Sequence, residues 1–559
     1  MNKLPFIEKG QAGKMEFNRK SGGNSPLFLG LYAVFIVIFL FMAIIRLFQL
    51  TVVKGTYYAT LSQNNRVREV VVEAPRGTIS DRKGITLVAN HEPNAQNALK
   101  RVVSERIYYK PETVSHLIGY RQIADVNDIK KDPCLNKLKM GDKTGKNGIE
   151  KLYECDLRGI HGKKLIEVDA MGEYVRTLDY IPPKKGTALT LALDVLLQEK
   201  AEELLRGKKG SVIAVKPDTG EVLTLYSNPS FNPQVFEDAD SKTVSTYLTD
   251  PDKPLYNRAL EGVYPPGSVF KMFVVAAGLE EKAITDETTF EDKGVLQAGT
   301  RDFHNWYYLE YGQTEGEVDV YKALQRSNDI YFYELGAKLG PEKIKKWAEI
   351  FGFNNKTGIG LNESEGIIPS TFWKADKLKE QWYLGDTYNL SIGQGYVTTT
   401  PLQVTLATAA FANGGYYCKP MILKNGSILA IDPACKKVPI ARNTYNIVRE
   451  GMKMACEEGG TAYSFFDFRI NEEKQATEEA NMATESAQIK GKRLEVGCKT
   501  GTAENHSDSG KPHAWFTVFA PFDKPEIILT VLVEEGGQGS DEAAPIAKEI
   551  LQTYFERNE

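Results

Sequence analysis

The chain has 559 residues, of which 42% are hydrophobic and 25% are charged, and its net charge is −4. This length exceeds what a single hydrophobic core supports, so two or three domains are expected. The composition excludes a collagen-like or disordered chain. It also contains no basic cluster dense enough for nucleic acid, so neither DNA nor RNA is an expected partner.

The first predicted element is a membrane anchor at residues 27–45, a stretch of nineteen residues without a charge. A bilayer-spanning helix needs roughly 20 apolar residues. A buried core helix would keep a polar face, and a cleavable signal peptide would have a shorter apolar core followed by small residues. Residues 1–26 carry five basic and two acidic side chains. The positive-inside tendency therefore predicts a cytoplasmic tail at 1–26 and export of the rest of the chain.

Residues 51–185 are predicted to be a β-rich region. An extended, β-branched run at residues 68–73 leads into a turn-rich stretch, and short strands and turns resume at Gly148. Residues 88–147 are polar and weakly periodic, so no firm elements are predicted there. The sequence at 182–186, Pro-Pro-Lys-Lys-Gly, is typical of a linker.

Residues 186–559 have the pattern of one large α/β domain. A strand is predicted at 187–193, followed by a helix capped by Asp194, and then a hairpin of strands 210–215 and 221–226. Helical patterns dominate the middle, strands return at 514–520 and 526–534, and a last helix closes the chain. This order predicts a sheet assembled from both ends of the domain and covered by helices. The polar stretch 472–492 is expected to be a surface insertion.

Six cysteines are too few for a disulfide scaffold in a chain of this length. Cys418 and Cys435 bracket a predicted hairpin with its turn at Asn425-Gly426. The sequence leaves open whether these two cysteines pair across the hairpin or remain free thiols.

The sharpest chemical feature is Ser268, which follows a Pro-Pro-Gly break and begins an apolar helix. Lys271 lies three residues later on the same helix face, within predicted reach of the serine hydroxyl. A lysine in a buried helix must be paired or deprotonated, and a desolvated amine is the base that a weak alcohol nucleophile needs. The alternative is a solvated Ser and Lys on an ordinary helix. The spacing alone is weak, because Ser80 and Lys83 repeat it in a polar turn.

Two further motifs are informative only in combination with Ser268 and Lys271. Ser327-Asn328-Asp329 lies between two predicted helices, and its hydroxyl and carboxylate are suited to relaying protons, although alone it would pass for a polar cap. Lys499-Thr500-Gly501-Thr502 lies in a predicted strand, which offers an extended peptide backbone pairing and a cation for a carboxylate. Lys-Thr-Gly also occurs at 143–145 and 356–358, and only the copy at 499–501 is predicted to lie in a strand that pairs, through a polar loop, with the next strand at 514–520.

In this order, the three motifs resemble those of penicillin-binding proteins and serine β-lactamases. The surrounding segments NRALEGVYPPGSVFK, LSIGQGYVTTTPLQ and VGCKTGTAE are similar to the transpeptidase domain of class B penicillin-binding proteins, and EAPRGTISDRKG is similar to their pedestal. The resemblance covers most of residues 66–555. It implies one transmembrane helix, an elongated dimerisation-type pedestal at 51–185, and an α/β transpeptidase domain at 186–559 in which helices cover an antiparallel sheet.

The resemblance also implies roles for the motif residues. Ser268 would attack the penultimate D-alanine carbonyl, Lys271 would take its proton, and Ser327 with Asp329 would carry that proton to the departing D-alanine. The carboxylate of the substrate, or of a β-lactam, would be bound by a set of side chains on the third motif, Lys499, Thr500 and Thr502. Gly501 would allow close backbone approach, and the N–H groups of Ser268 and Thr502 would form the oxyanion hole.

Within the family, Asp329 and the string Gly393-Gln394-Gly395-Tyr396 are most similar to the elongation-type enzyme, penicillin-binding protein two. The chain departs from that pattern at three places. The head subdomain between Asn94 and Arg101 is mostly missing, which puts partner contacts in doubt. Cys498 stands where relatives usually have glycine, and the insertion 472–492 lies just upstream; both could alter access to the cleft.

The expected function is therefore a peptidoglycan D,D-transpeptidase of the cytoplasmic membrane. The expected partners are peptidoglycan stem peptides, β-lactams, the membrane and a SEDS-family glycosyltransferase, and no metal or organic cofactor is expected. A D,D-carboxypeptidase or β-lactamase on the same fold is the first alternative, and it would need a positioned deacylating water. A non-catalytic scaffold or β-lactam sensor is the second, and it would not need every motif residue.

Overall fold

The computed structural model describes residues 26–91, 103–169, 171–427, 429, 434–470, 491–505 and 510–557. The predicted cytoplasmic tail up to residue 25, the reduced head at 94–101 and most of the insertion 472–492 lie outside the described residues. The chain folds into two compact units. The smaller one contains the N-terminal helices and a three-stranded sheet, and the larger one contains the candidate site.

The first part of the chain forms α1 Pro26–Phe48, α2 Gly55–Arg66, β1 Val67–Val72, β2 Ile79–Ser80 and β3 Thr86–Asn90. The apolar helix that can cross a membrane extends over Pro26–Val53, beyond the predicted 27–45, because the residues that follow Ile45 are still mainly apolar. None of the residues of α1 is buried in protein, which is the exposure that a lipid-facing helix would have. The predicted extended run at 68–73 is confirmed as β1.

The following segment contains short elements: β4 Arg106–Tyr108, α3 Pro111–Ile118, β5 Arg121–Ile123, α4 Val126–Lys131, β6 Lys143–Gly145, α5 Gly148–Leu152, α6 Glu154–Leu157, β7 Gly162–Val168 and β8 Tyr174–Ile181. The expectation of no firm elements across 88–147 is wrong. These elements are too short for periodicity to reveal, and they are held by contacts distant in sequence. Arg76 and Arg106, for example, both bind the buried carboxylate of Glu150.

The next part of the chain begins with β9 Leu189–Thr190, α7 Val195–Leu204, β10 Gly210–Val215, β11 Val222–Asn228, α8 Gln234–Glu237, α9 Ser241–Thr249, α10 Lys271–Glu280, β12 Phe290–Asp292, β13 Val295–Ala298, β14 Arg301–His304, α11 Trp306–Tyr311, β15 Gly316–Val318, α12 Val320–Arg326, α13 Asp329–Leu339 and α14 Pro341–Ile350. Only Leu189–Thr190 of the strand predicted at 187–193 is extended and paired as a strand, because its partner β2 is equally short. The Asp194 cap is confirmed: its carboxylate accepts from the N–H groups of Leu196 and Leu197.

The last part contains α15 Thr371–Lys377, α16 Leu384–Ser391, α17 Pro401–Ala412, β16 Tyr416–Cys418, β17 Cys435–Lys437, α18 Arg442–Ala455, β18 Arg469–Ile470, β19 Lys492–Arg493, β20 Gly497–Ala503, β21 His513–Ala520, β22 Ile527–Val533 and α19 Ala544–Phe555. The predicted late strands and the last helix are confirmed as β21, β22 and α19.

The central sheet has the strand order β11-β10-β22-β21-β20, and every pair is antiparallel. The first two strands and the last three come from opposite ends of the domain, as predicted. Side chains alternate across the sheet. Val212 and Ala214 of β10 belong to a core shared with α7 and α19, whereas Ile213 and Val215 belong to the core that contains α10 and α17. This second core fixes the helix that follows Ser268.

The six cysteines form three disulfides, Cys134–Cys155, Cys418–Cys435 and Cys456–Cys498. Of the two alternatives left open for Cys418 and Cys435, pairing is therefore observed. They face each other across the antiparallel pair of β16 and β17, the hairpin predicted around them. The pairing of Cys498 with Cys456 was not predicted, because 42 residues separate them in sequence.

Candidate active site

Ser268 lies in a 3-10 turn, Gly267–Phe270, that leads directly into α10. The helix is buried from Lys271 to Gly278, which confirms that it is central. Gly267 has a positive φ of 56°, and a Cβ there would lie 2.8 Å from the Thr502 carbonyl oxygen. Only glycine fits this position, because it tolerates both the left-handed backbone and the close approach. Ser268 is thereby held half-buried, at the wall of a cavity.

Lys271 is completely buried below Ser327 and Asp329. Its Nζ lies 2.6 Å from Asp329 Oδ1, 2.7 Å from the Ser327 carbonyl oxygen and 3.3 Å from Ser327 Oγ. Burial lowers the pKa of Lys271, and the carboxylate of Asp329 opposes that shift. Within the described part of the chain its hydrogen bonds go to the second motif, and none joins it to Ser268 Oγ. The amine is both paired and shifted towards its neutral form.

The second motif lies at the junction of α12 and α13. Ser327 ends α12 with a positive φ of 57°, and Asn328 caps α13 by accepting a hydrogen bond from the Tyr331 N–H at 2.9 Å. Asn328 also donates to the buried carboxylate of Asp292 at 2.7 Å, and Asn305 donates to the same oxygen at 2.7 Å. Asp292 therefore ties the motif to the β12–α11 segment.

The other oxygen of Asp329 accepts a hydrogen bond of 3.0 Å from the Trp306 N–H. Trp306 begins α11, whose aromatic side chains Trp306, Tyr307 and Tyr311 contact one another and line the cavity. These residues were not assigned to the site from the sequence. The signal was present in the aromatic run at 306–311, but nothing local indicates which face of the helix meets the second motif.

The third motif lies on β20, at the edge of the central sheet. Lys499 is completely buried, and its Nζ donates to the Thr500 carbonyl oxygen at 3.1 Å. Burial brings the pKa of Lys499 well below its usual range, the charge of Lys271 lowers it further, and Asp329 raises it. The carboxylate of Asp329 therefore raises the pKa of both Lys499 and Lys271. Thr500 Oγ1 lies 2.7 Å from Thr461 Oγ1.

Gly501 allows β20 to pack closely against its neighbours. A Cβ at this position would lie 3.0 Å from both Trp515 Cβ and Val269 Cγ1, the latter in the turn that holds Ser268. Thr502 is exposed, and Gln394 Nε2 donates to its carbonyl oxygen at 3.3 Å. The absence of a side chain at Gly501 therefore sets the distance between the strand and the serine turn.

These elements surround a cavity of about 740 Å³. Six of the eight predicted site residues line it: Ser268, Ser327, Asp329, Thr500, Gly501 and Thr502. The other two, Lys271 and Lys499, are buried behind it and hydrogen-bonded to residues that line it. Gln394 and Thr461 also line the cavity and were not assigned to the site, because each is brought there by a loop distant from the three motifs.

The duplicate motifs lie elsewhere. Neither Ser80 with Lys83 nor the Lys-Thr-Gly copies at 143–145 and 356–358 line this cavity. The copy at 143–145 also lies in a strand, β6, but it pairs with the preceding strand β5, whereas the copy at 499–501 on β20 pairs with the next strand β21, as predicted. The copies at 143–145 and 499–501 differ in their tertiary contacts, because Lys143 binds Glu237 whereas Lys499 lies near Lys271 and Asp329.

Two family profiles match the chain. The penicillin binding protein transpeptidase domain matches residues 210–552, and the penicillin-binding protein dimerisation domain matches residues 94–191. The first match alone covers more than half of the chain and includes all three motifs. The chain belongs to the penicillin-binding protein transpeptidase family.

Individual proteins similar to this chain narrow the comparison within the family. The peptidoglycan D,D-transpeptidase MrdA of Haemophilus influenzae is 34% identical over 477 residues, which are 81% of this chain and 69% of that protein. Penicillin-binding protein 2 (PBP2) from Helicobacter pylori, solved as a complex with MreC, has a TM-score of 0.72 at 27% identity and covers 88% of this chain and 99% of its own. A chain of a solved peptidoglycan synthase complex has a TM-score of 0.74 at 27% identity, with 95% and 98% covered. The resemblance to penicillin-binding protein two is confirmed.

Proposed function

We propose that this protein is a peptidoglycan D,D-transpeptidase that cross-links stem peptides through an acyl-enzyme on Ser268. The observation that carries the reaction is the convergence of three motifs, far apart in sequence, on one cavity: the serine turn, the buried Lys271–Asp329 pair and the β20 strand. A serine three residues before a desolvated amine in the same buried segment, facing a strand edge, is suited to acyl transfer from an extended peptide.

In the acylation step, Ser268 Oγ attacks the carbonyl carbon of the penultimate D-alanine, and Lys271 Nζ accepts the hydroxyl proton. Burial favours the neutral amine that can do this, and the carboxylate of Asp329 at 2.6 Å stabilises the ammonium once it forms. The N–H groups of Ser268 and Thr502 receive the developing oxyanion. The proton then passes through Ser327 Oγ, 3.3 Å from the amine, to the nitrogen of the departing D-alanine.

Substrate recognition is assigned to β20. Thr500 and Thr502 present hydroxyls to the cavity, and Lys499 supplies a buried amine next to them, whose charged form an incoming carboxylate favours. Together they bind the terminal carboxylate of the donor stem peptide, and the same group on a β-lactam. An amine from a second stem peptide attacks the acyl-enzyme, and Ser268 recovers its proton as the cross-link forms. Because six of the eight predicted site residues line one cavity and the other two are hydrogen-bonded to residues that line it, an active enzyme is favoured over a scaffold.

The membrane arrangement is part of the proposal. The helix Pro26–Val53 anchors the chain once, residues 1–25 remain in the cytoplasm because of their basic excess, and the catalytic domain faces outwards. Three disulfides fit an oxidising compartment. A SEDS-family glycosyltransferase is the proposed membrane partner, supported by the likeness to a chain of a peptidoglycan synthase complex.

The test is labelling of the detergent-solubilised full chain with a fluorescent penicillin. Wild type should form a stable covalent adduct that Ser268→Ala abolishes, whereas Ser80→Ala, the other serine with this spacing, should label normally. Rapid release of hydrolysed drug would identify a β-lactamase. Transfer of the acyl group only to water, never to an added amine, would identify a carboxypeptidase, and a wild type that never labels would indicate a scaffold.

A further inference from the structure

The turn between α18 and β18 forms one wall of the cavity through Gly460, Thr461 and Tyr463. Three contacts fix this turn. Ala462 N–H donates to the Ala455 carbonyl oxygen at 3.0 Å, Cys456 forms a disulfide with Cys498, and Arg326 donates to the Gly459 carbonyl oxygen at 3.1 Å. The turn is tight as well, because a Cβ on Gly460 would lie 2.3 Å from the Ala455 carbonyl oxygen.

The disulfide joins this wall covalently to the strand it faces. Cys498 is the residue before Lys499 on β20, and Cys456 is the residue after the end of α18. Both cysteines are buried, at 0% and 4% exposure, in the core that also contains Ala455 and Ala462. Cys498, one of the predicted departures from the family pattern, is therefore bonded to Cys456 in the structure.

Across this junction, Thr461 Oγ1 lies 2.7 Å from Thr500 Oγ1. Each hydroxyl has a single proton to donate. A bound carboxylate only accepts, so Thr500 must donate its proton to the substrate, and the proton between the two threonines must then come from Thr461. A hydroxyl that accepts a hydrogen bond is a stronger donor to the next acceptor in the chain.

We propose that Thr461 is a positioning residue for the substrate carboxylate, and that the Cys456–Cys498 disulfide holds it against Thr500. This inference rests on the proposed function and extends it, since neither the disulfide nor Thr461 belongs to the three motifs. The disulfide sets the spacing between the wall and the strand, and Thr461 sets the direction in which Thr500 donates.

The experiment compares one penicillin as its free acid and as its methyl ester, on the solubilised full chain. Thr461→Val should lower the second-order acylation rate for the acid about fivefold to tenfold, and that for the ester less than about twofold, because the ester lacks the charged acceptor. Thr461→Ser keeps the hydroxyl and should restore the ratio of acid to ester rates. An unchanged ratio in Thr461→Val, or an equal loss with both probes, would overturn the role of Thr461.

The disulfide is tested in the same way. Cys456→Ala with Cys498→Ala should lower the acid-to-ester ratio, and adding Thr461→Val to that pair should lower it little further, because both changes remove the same interaction. The matched control, Cys418→Ala with Cys435→Ala, removes a disulfide that joins β16 to β17 and does not involve β20, and it should keep the wild-type ratio. A wild-type ratio in the Cys456 and Cys498 pair would overturn the disulfide's role. A wild type acylated by neither probe would instead overturn the proposed function, and this inference with it.

Discussion

The amine of Lys271 and the carboxylate of Asp329 form a buried ion pair, with Nζ 2.6 Å from Oδ1. Lys271 has no exposed surface, and Asp329 reaches it from the first residue of α13. Two opposing effects act on the pKa of Lys271: burial lowers it, and the carboxylate of Asp329 raises it. The balance between these effects decides the pH at which the proposed base is neutral.

Replacing Asp329 with asparagine should therefore move the acidic limb of the acylation profile to lower pH. The substitution removes the charge that raises the pKa of Lys271 and leaves the burial that lowers it. Acylation rates with a fluorescent penicillin across the pH range measure the limb. A limb that stays in place, or moves to higher pH, would contradict the proposed role of the pair.

Replacing Asp292 with alanine should destabilise the loop that carries the second motif. The carboxylate accepts hydrogen bonds from Asn305, Asn328 and the Gly294 N–H, and the residue is 2% exposed. Leaving these donors buried and unpaired should cost about 2–4 kcal/mol in the free energy of unfolding and should slow acylation. Denaturant titration provides the measurement. Asp302→Ala, at an exposed carboxylate on β14, is the control and should change little.

Gly501→Ala should impair the site more than the fold. The added Cβ would lie 3.0 Å from Trp515 Cβ and from Val269 Cγ1, so β20 and the serine turn must separate. Overpacking of this kind costs about 1–3 kcal/mol of stability. We expect acylation to fall by a larger factor than that loss alone explains, because the oxyanion N–H groups move apart. Gly55→Ala, where no atom lies within 4 Å of the new Cβ, is the comparison. Full acylation by Gly501→Ala would refute the spacing argument.

Stability should fall in acid partly because of Glu150. Burial by itself raises the pKa of this carboxyl, but Arg106, Arg76 and Arg121 outweigh it and lower the pKa from 4.5 to about 2. A depressed folded-state pKa stabilises the protein above the unfolded-state value, and that stability is lost as pH falls from 4.5 towards 2. The loss amounts to about 3 kcal/mol for a shift of this size. Glu150→Gln should flatten the pH dependence of the unfolding free energy in this window, and an unchanged slope would contradict the assignment.

The cysteine pairing predicts the thiol content of the native protein. All six cysteines are paired in the structure, so thiol titration of the unfolded, unreduced chain should find none, and reduction should release six. A chain retained in the reducing cytoplasm would show free thiols instead. The titration therefore also checks the proposed export of the catalytic domain.

Much of the fold could be read from long, strongly patterned segments. The helix α10, the hairpin β10–β11 and the late strands β21 and β22 follow from apolar runs and turn residues that act locally. The short elements between residues 88 and 147 could not be read in this way. Each is three to eight residues long, and they depend on buried partners such as Glu237, which pairs with Arg121 across 116 positions of the chain.

The sequence by itself determined the long apolar helix near the N-terminus, the three motifs and the family, because these depend on residue type and local order. Only the tertiary structure decided that Lys271 pairs with Asp329, that Trp306 holds the second oxygen of that carboxylate, and that Cys498 ties the third motif to the wall containing Thr461. Each of these is a contact between segments far apart in the chain. Such contacts are set by how helices and strands pack around the two cores, which no local pattern of residues encodes.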